Sequence, residues 1–145
     1  MTRIKKALLQ TIPVGRIYEY VNKSTGKTVY VGHSRLPLAK VDTNHRFDQN
    51  FVGEYKLTKF RKFLRTPKGK DVEIQEIKKL FNTTLKELLC LETLYILSYK
   101  GQKECNLNVD YYPLATYLIK QHKFTKKKAI QEANYILEDY AAGVK

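Results

Sequence analysis

The sequence predicts an α+β domain, a small three-stranded antiparallel sheet flanked by helices, with a C-terminal helical tail. Three observations lead there. Two short stretches alternate β-branched and aromatic residues around a turn, a third alternating stretch follows later, and much of the remaining chain repeats its apolar residues at three- and four-residue steps. A chain of 145 residues is long enough for one such domain with its own core.

Taken in order, Gly15 to Asn22 and Lys27 to Gly32 read as the two strands of a hairpin, joined by the turn Lys23-Ser24-Thr25-Gly26. Leu36 to Asp42 contains a proline and no clear period, and reads as a loop. From Thr43 to Leu64 the aromatic residues Phe47, Phe51, Tyr55, Phe60 and Phe63 recur with helical spacing, with Gly53 as a break or bend. Thr66 to Lys70 ends that segment. Asp71 to Lys78 alternates Val72, Ile74 and, less regularly, Ile77, which predicts a third, partly exposed strand. Thr84 to Tyr99 is the clearest helix, with Thr84 and Glu87 as a capping box and Gly101 as its stop. Gln102 to Tyr112 reads as a loop, Pro113 opens a helix to about His122, and Thr125 caps a last helix to Ala142, followed by Gly143. The order β-β-α-β-α plus a helical tail suggests a domain over 1–110 and an extension over 111–145.

Composition narrows the partners. Lysine and arginine number 27 against 14 acidic residues, a net charge of +13, which attracts polyanions, nucleic acid above all. Basic and aromatic residues interleave from Lys56 through Lys59, Phe60, Arg61 and Lys62 to Phe63, as on a helix with one buried and one phosphate-facing side. No apolar run approaches the roughly 20 residues of a membrane helix, and the first ten residues lack a signal-peptide core, so a soluble, intracellular protein is expected. Cys90 and Cys105 form no disulfide framework and no zinc spacing; Cys90 belongs to an apolar helical stripe.

Three features carry chemistry. Tyr18 and Tyr30 are expected to stand opposite each other on one face of the hairpin if the connecting loop holds an odd number of residues. Glu92 shares a helix face with Leu85, Leu88, Leu89, Tyr95, Ile96 and Tyr99. A carboxylate in an apolar stripe must be paired, hydrogen-bonded or metal-bound, or else reach water at the stripe's edge. Arg46 precedes Phe47, which is expected to face the core.

In sequence these features resemble the GIY-YIG nuclease family. Arg16-Ile17-Tyr18, then Asn22, Gly26-Lys27 and Tyr30-Val31-Gly32, resemble its signature; His45-Arg46-Phe47 resembles the arginine motif, Leu91 to Ile96 the glutamate motif, and Cys105-Asn106-Leu107-Asn108 the asparagine motif. The resemblance covers Gly15 to about Asn108. It departs from the family in reading Arg-Ile-Tyr for Gly-Ile-Tyr, and in a longer stretch before Arg46 that leaves Arg35 as the alternative arginine. Asn50 stands where many members carry histidine or tyrosine, with His33 and His45 as substitutes.

The resemblance implies a metal-dependent DNA endonuclease of homing or restriction type, with Tyr18, Tyr30, Arg46 and Glu92 as catalytic residues. The alternative is a catalytically weak nucleic-acid-binding module on the same fold. Glu92 would hold Mg²⁺ or another divalent cation such as Mn²⁺, a hard ion suited to carboxylate oxygen. Arg46 would grip a phosphate oxygen, Tyr18 would activate or orient water, and Tyr30 would support it. As a base, Tyr18 would need a depressed pKa, with Arg46, Lys27 or the metal supplying positive charge. Asn106, Asn50, His45, Lys27 and Gly32 would support the site. Lys56, Lys59, Arg61 and Lys62, with Lys126, Lys127 and Lys128 in the tail, are the residues expected to meet DNA, where two copies could act as a homodimer; the tail lysines read slightly more readily as a solvated face.

Overall fold

The computed structural model describes residues 3–47, 59–99 and 113–143. Strands β1 (Thr11–Asn22), β2 (Thr28–Ser34) and β3 (Val72–Thr84) form one antiparallel sheet in the order β2-β1-β3. Helices α1 (Arg3–Leu8), α2 (Leu38–Phe47), α3 (Lys59–Leu64), α4 (Leu85–Ser98), α5 (Pro113–His122) and α6 (Lys126–Ala141) flank it. The α+β class with a three-stranded antiparallel sheet is the one the sequence predicts.

The hairpin turn forms because the Asn22 side-chain oxygen accepts from the Ser24 and Thr25 amides at 2.9 and 3.1 Å, and Gly26 takes φ 73°. Strand β1 starts at Thr11, earlier than expected. Thr11 to Val14 pair with β3 alone, because β2 covers only Arg16 to Val21. Pro13 is tolerated there since β1 has an open side at that point. Strand β3 runs past Lys78 to Thr84 on the same ladder. Its period is hidden in the sequence by a bulge that leaves Ile77 between Lys78, opposite Ile17, and Glu76, opposite Tyr18.

Two further expectations are corrected. Leu36 to Asp42 is not all loop: Pro37 starts α2, its carbonyl accepting from the Lys40 and Val41 amides at 3.0 and 3.1 Å. Phe47, expected to face the core, is 66% exposed at the end of α2, where no neighbouring element covers it among the described residues. Phe51, Gly53 and Tyr55 lie outside the described residues. The short helix α1 was not expected; Ile4 and Leu8 are its only apolar anchors at helical spacing, with Leu8 buried.

The sheet separates two cores. On one side Ile12, Ile17 and Val31 pack with Leu8 of α1, Leu88, Leu89 and Cys90 of α4, Leu114 and Leu118 of α5, and Ala129 and Ala133 of α6. Helices α5 and α6 therefore share the core of α4. On the other side Tyr18, Tyr20, Val29 and Val72 pack with Val41 of α2 and Phe60 and Leu64 of α3. Cys90 is buried and unpaired. No helix among the described residues is long and apolar enough to cross a membrane.

Candidate functional site

The two cores meet at the β2 edge of the sheet, in a cavity of about 300 Å³ lined by Tyr18, Tyr30, Gly32, His33, Asn44, His45, Arg61 and Glu92, among others. The register explains how both sides reach it. Tyr18 pairs with Gly32 and Tyr20 with Tyr30, so Tyr18, Tyr20 and Tyr30 share the α2–α3 face. Tyr18 and Tyr30 are thus diagonal neighbours, ring centres 6.3 Å apart, and not directly opposite as the sequence suggested. His33 lies two residues from Val31, on the α4 face, where Glu92 arrives.

Gly32 makes room for the tyrosine. A β-carbon there would lie 2.5 Å from Tyr18 Oη and 2.6 Å from its Cζ. The ring cannot easily yield, because Tyr20, Tyr30 and His45 surround it at centroid distances of 6.1, 6.3 and 6.1 Å. Tyr30 is held in turn by stacking on Phe60 of α3, 3.9 Å between centroids and 8° between planes.

Glu92 is 6% exposed, and its Oε2 is hydrogen-bonded to His33 Nδ1. The burial question raised by the apolar stripe is answered by pairing. Burial alone would lower the His33 pKa, but the charge and hydrogen bond of Glu92 outweigh it and hold the imidazole's pKa above its usual value. The Tyr18 pKa is shifted upward, not down: burial, then Tyr30, Glu92 and Tyr20, push its phenol well above the usual range, against the lowering by Arg61. Its hydroxyl is 2.9 Å from His45 Nε2. Burial and the cations Arg61 and Arg46, opposed by Asp42, bring His45 down to about 4, so it is neutral at pH 7.

Arg46 does not line this cavity. Its Nε donates to Asp42 Oδ1 at 2.8 Å, Nη1 to Gly69 O at 2.9 Å and Nη2 to Val72 O at 2.8 Å, tying α2 to the 3₁₀ turn Pro67–Asp71 and to the start of β3. Asp42 also accepts from Tyr20 Oη at 2.8 Å. The arginine in the cavity is Arg61, expected only along a DNA-facing flank; its Nε donates to His45 Nδ1 at 3.3 Å. The alternative, Arg35, is exposed and outside the lining, although it lowers the His33 pKa.

Lys27 is exposed on the hairpin turn, away from the lining residues. Lys62 points outward from α3, and Lys126, Lys127 and Lys128 are exposed at the start of α6, which packs with α4 on the other side of the sheet. Lys128 Nζ sits 4.5 Å from the Phe124 ring centre. Asn50, Lys56 and Asn106 lie outside the described residues, as does the side chain of Lys59.

Sequence reasoning understated three groups that the cavity gathers. His33 shares the strand face of Val31, and His45 stands four residues after buried Val41; both spacings were visible. Arg61 follows buried Phe60, so it begins beside the core. Among the described residues no cluster of three or more His, Cys, Asp or Glu side chains could hold a metal ion. A single carboxylate in a cavity still suits Mg²⁺, which keeps several waters and takes its other ligands from phosphate.

Comparison with protein-family models, with curated proteins and with solved structures finds no match.

Proposed function

We propose that this chain is a divalent-metal-dependent DNA endonuclease with a GIY-YIG-like centre, of homing or restriction type, in which Arg61 stands in for the family's arginine. The observation that carries the reading is one cavity lined by two phenols, a guanidinium and a lone carboxylate drawn from distant parts of the chain. The net charge of +13 supports a polyanionic substrate.

Phosphodiester hydrolysis needs charge neutralisation at phosphorus, an oriented water and help for the leaving oxygen. Arg61 would neutralise a non-bridging oxygen by charge-assisted hydrogen bonding. Glu92 would hold Mg²⁺ or Mn²⁺, which when bound supplies Lewis-acid stabilisation to the departing 3′ oxygen. Tyr18 and Tyr30 would bound the phosphate position, with His33 keeping the Glu92 carboxylate oriented. Arg46 is left a supporting role, since its guanidinium already serves three acceptors.

A second reading, a nucleic-acid-binding module with weak catalysis, draws on the raised Tyr18 pKa and on the engagement of Glu92 by His33. Incubating the wild type and Glu92→Ala with supercoiled and linear DNA, in Mg²⁺ or EDTA, separates the two. Metal-dependent nicking lost in the variant is the expected result. Equal binding without cutting by both proteins would establish the module.

A further inference from the structure

We infer that Arg61 and His45 fix the direction of hydrogen bonding at Tyr18, so that this phenol presents its proton to the cavity and serves as a hydrogen-bond donor to a phosphate oxygen. The inference rests on the phosphodiester reading of the same cavity and assigns Tyr18 a role opposite to that of a base.

A guanidinium has only donors, so Arg61 Nε, 3.3 Å from His45 Nδ1, requires a lone pair on that nitrogen. A neutral imidazole carries one proton, which must then sit on Nε2. His45 Nε2 is 2.9 Å from Tyr18 Oη, so the imidazole donates and the phenol oxygen accepts. That is the only hydrogen bond of the Tyr18 hydroxyl among the described residues. Its own proton therefore has no acceptor among the described residues and is left for the cavity that Tyr18 lines. The depressed pKa of His45 agrees, because it keeps the ring in the neutral form the relay needs at pH 7.

The ligand such a donor serves is an oxyanion. Arg61 lines the same cavity, so guanidinium and phenol can share one phosphate. Arg61 and His45 act on the chemistry as positioning residues in this relay. The phenol donates without transferring its proton, so no bond to oxygen breaks at Tyr18.

Nitrogen NMR of the full chain labelled at histidine tests the polarity without DNA or metal. His45, identified by the signals lost in His45→Gln, is expected to show a protonated Nε2 and a bare Nδ1 at neutral pH. The reverse pattern overturns the inference. Arg61→Ala should shift the ring toward the other tautomer, and an unchanged tautomer would remove Arg61 from the relay. Titration with inorganic phosphate should show about tenfold weaker binding to Tyr18→Phe than to the wild type. Equal binding overturns the donor assignment.

For DNA nicking, a fluorinated tyrosine of lower pKa at position 18 should leave the acid limb of the pH–rate profile in place. A limb that moves with phenol acidity would make Tyr18 the base. If no nicking occurs at all, the nuclease reading fails, while the tautomer and phosphate measurements still judge the donor.

Discussion

The guanidinium of Arg46 serves one carboxylate and two main-chain carbonyls at once, a fork that a lysine ammonium does not reproduce. Arg46→Lys is expected to lose about 2 kcal/mol of stability, seen as a lower urea midpoint at constant slope, while DNA affinity changes little. A variant that keeps its stability but loses DNA binding would return Arg46 to the phosphate. Gly32 gives a second residue-scale test. An alanine there collides with the Tyr18 hydroxyl end, and the ring is hemmed in by three others. Gly32→Ala should lower Mg²⁺-dependent nicking roughly a hundredfold, the cost of misplacing a positioned hydrogen-bond donor by about an ångström, with circular dichroism unchanged. Full activity would show that the tyrosine position is immaterial. The tyrosines and Glu92 were legible because strand alternation and helical spacing place them regardless of context. Which arginine lines the cavity was not, because Arg46 and Arg61 both sit beside aromatic residues in basic helices. Only the carbonyls of Gly69 and Val72, brought in from another part of the chain, set them apart.

Helices were legible where the signal is local. Thr84 caps α4 by accepting from the Glu87 amide at 3.1 Å, and Thr125 caps α6 by accepting from the Lys128 amide at 3.3 Å, both as sequence predicts. Elements defined by partners were less legible: β3 and the start of β1 extend because each gives the other a ladder, a non-local cause. The lysines of α3 and α6 can be separated on the same grounds. Lys62 stands next to Arg61, which lines the cavity, whereas Lys127 stands on a helix packed across the sheet. Lys62→Glu should therefore weaken binding to short duplex DNA in EDTA more than Lys127→Glu, with a shallower salt dependence. Lys127→Glu should also stabilise the fold by about 0.5 kcal/mol, since a cation in the first turn of α6 opposes the helix dipole. Equal losses of affinity in both variants would extend the DNA surface to α6.

The sheet brings two cores to one edge, and each core contributes a histidine to the cavity: His45 from the α2–α3 side and His33 from the α4 side. Their protonation is biased in opposite directions, which ties the cavity to the pH dependence of the whole fold. The pKa of His45 falls to about 4 on folding, from an unfolded value near 6.5. Between these values the unfolded chain binds the extra proton, so this contribution is present above pH 6.5 and is lost as pH falls toward 4. The full shift corresponds to on the order of 3 kcal/mol. His33 is raised on folding, so its contribution is complete below pH 6.5 and is lost as pH rises through its folded pKa. Together the two give a stability maximum close to pH 6.5, falling on both sides. Replacing His45 by glutamine removes only the acid limb. The variant's unfolding free energy, measured with urea at intervals from pH 4 to pH 8, should fall less steeply than the wild type's below pH 6.5 and run parallel to it above. If the two profiles run parallel throughout the acid range, His45 is not held neutral by its burial between the two tyrosines and Phe60, and the relay that aims the Tyr18 proton loses its physical basis.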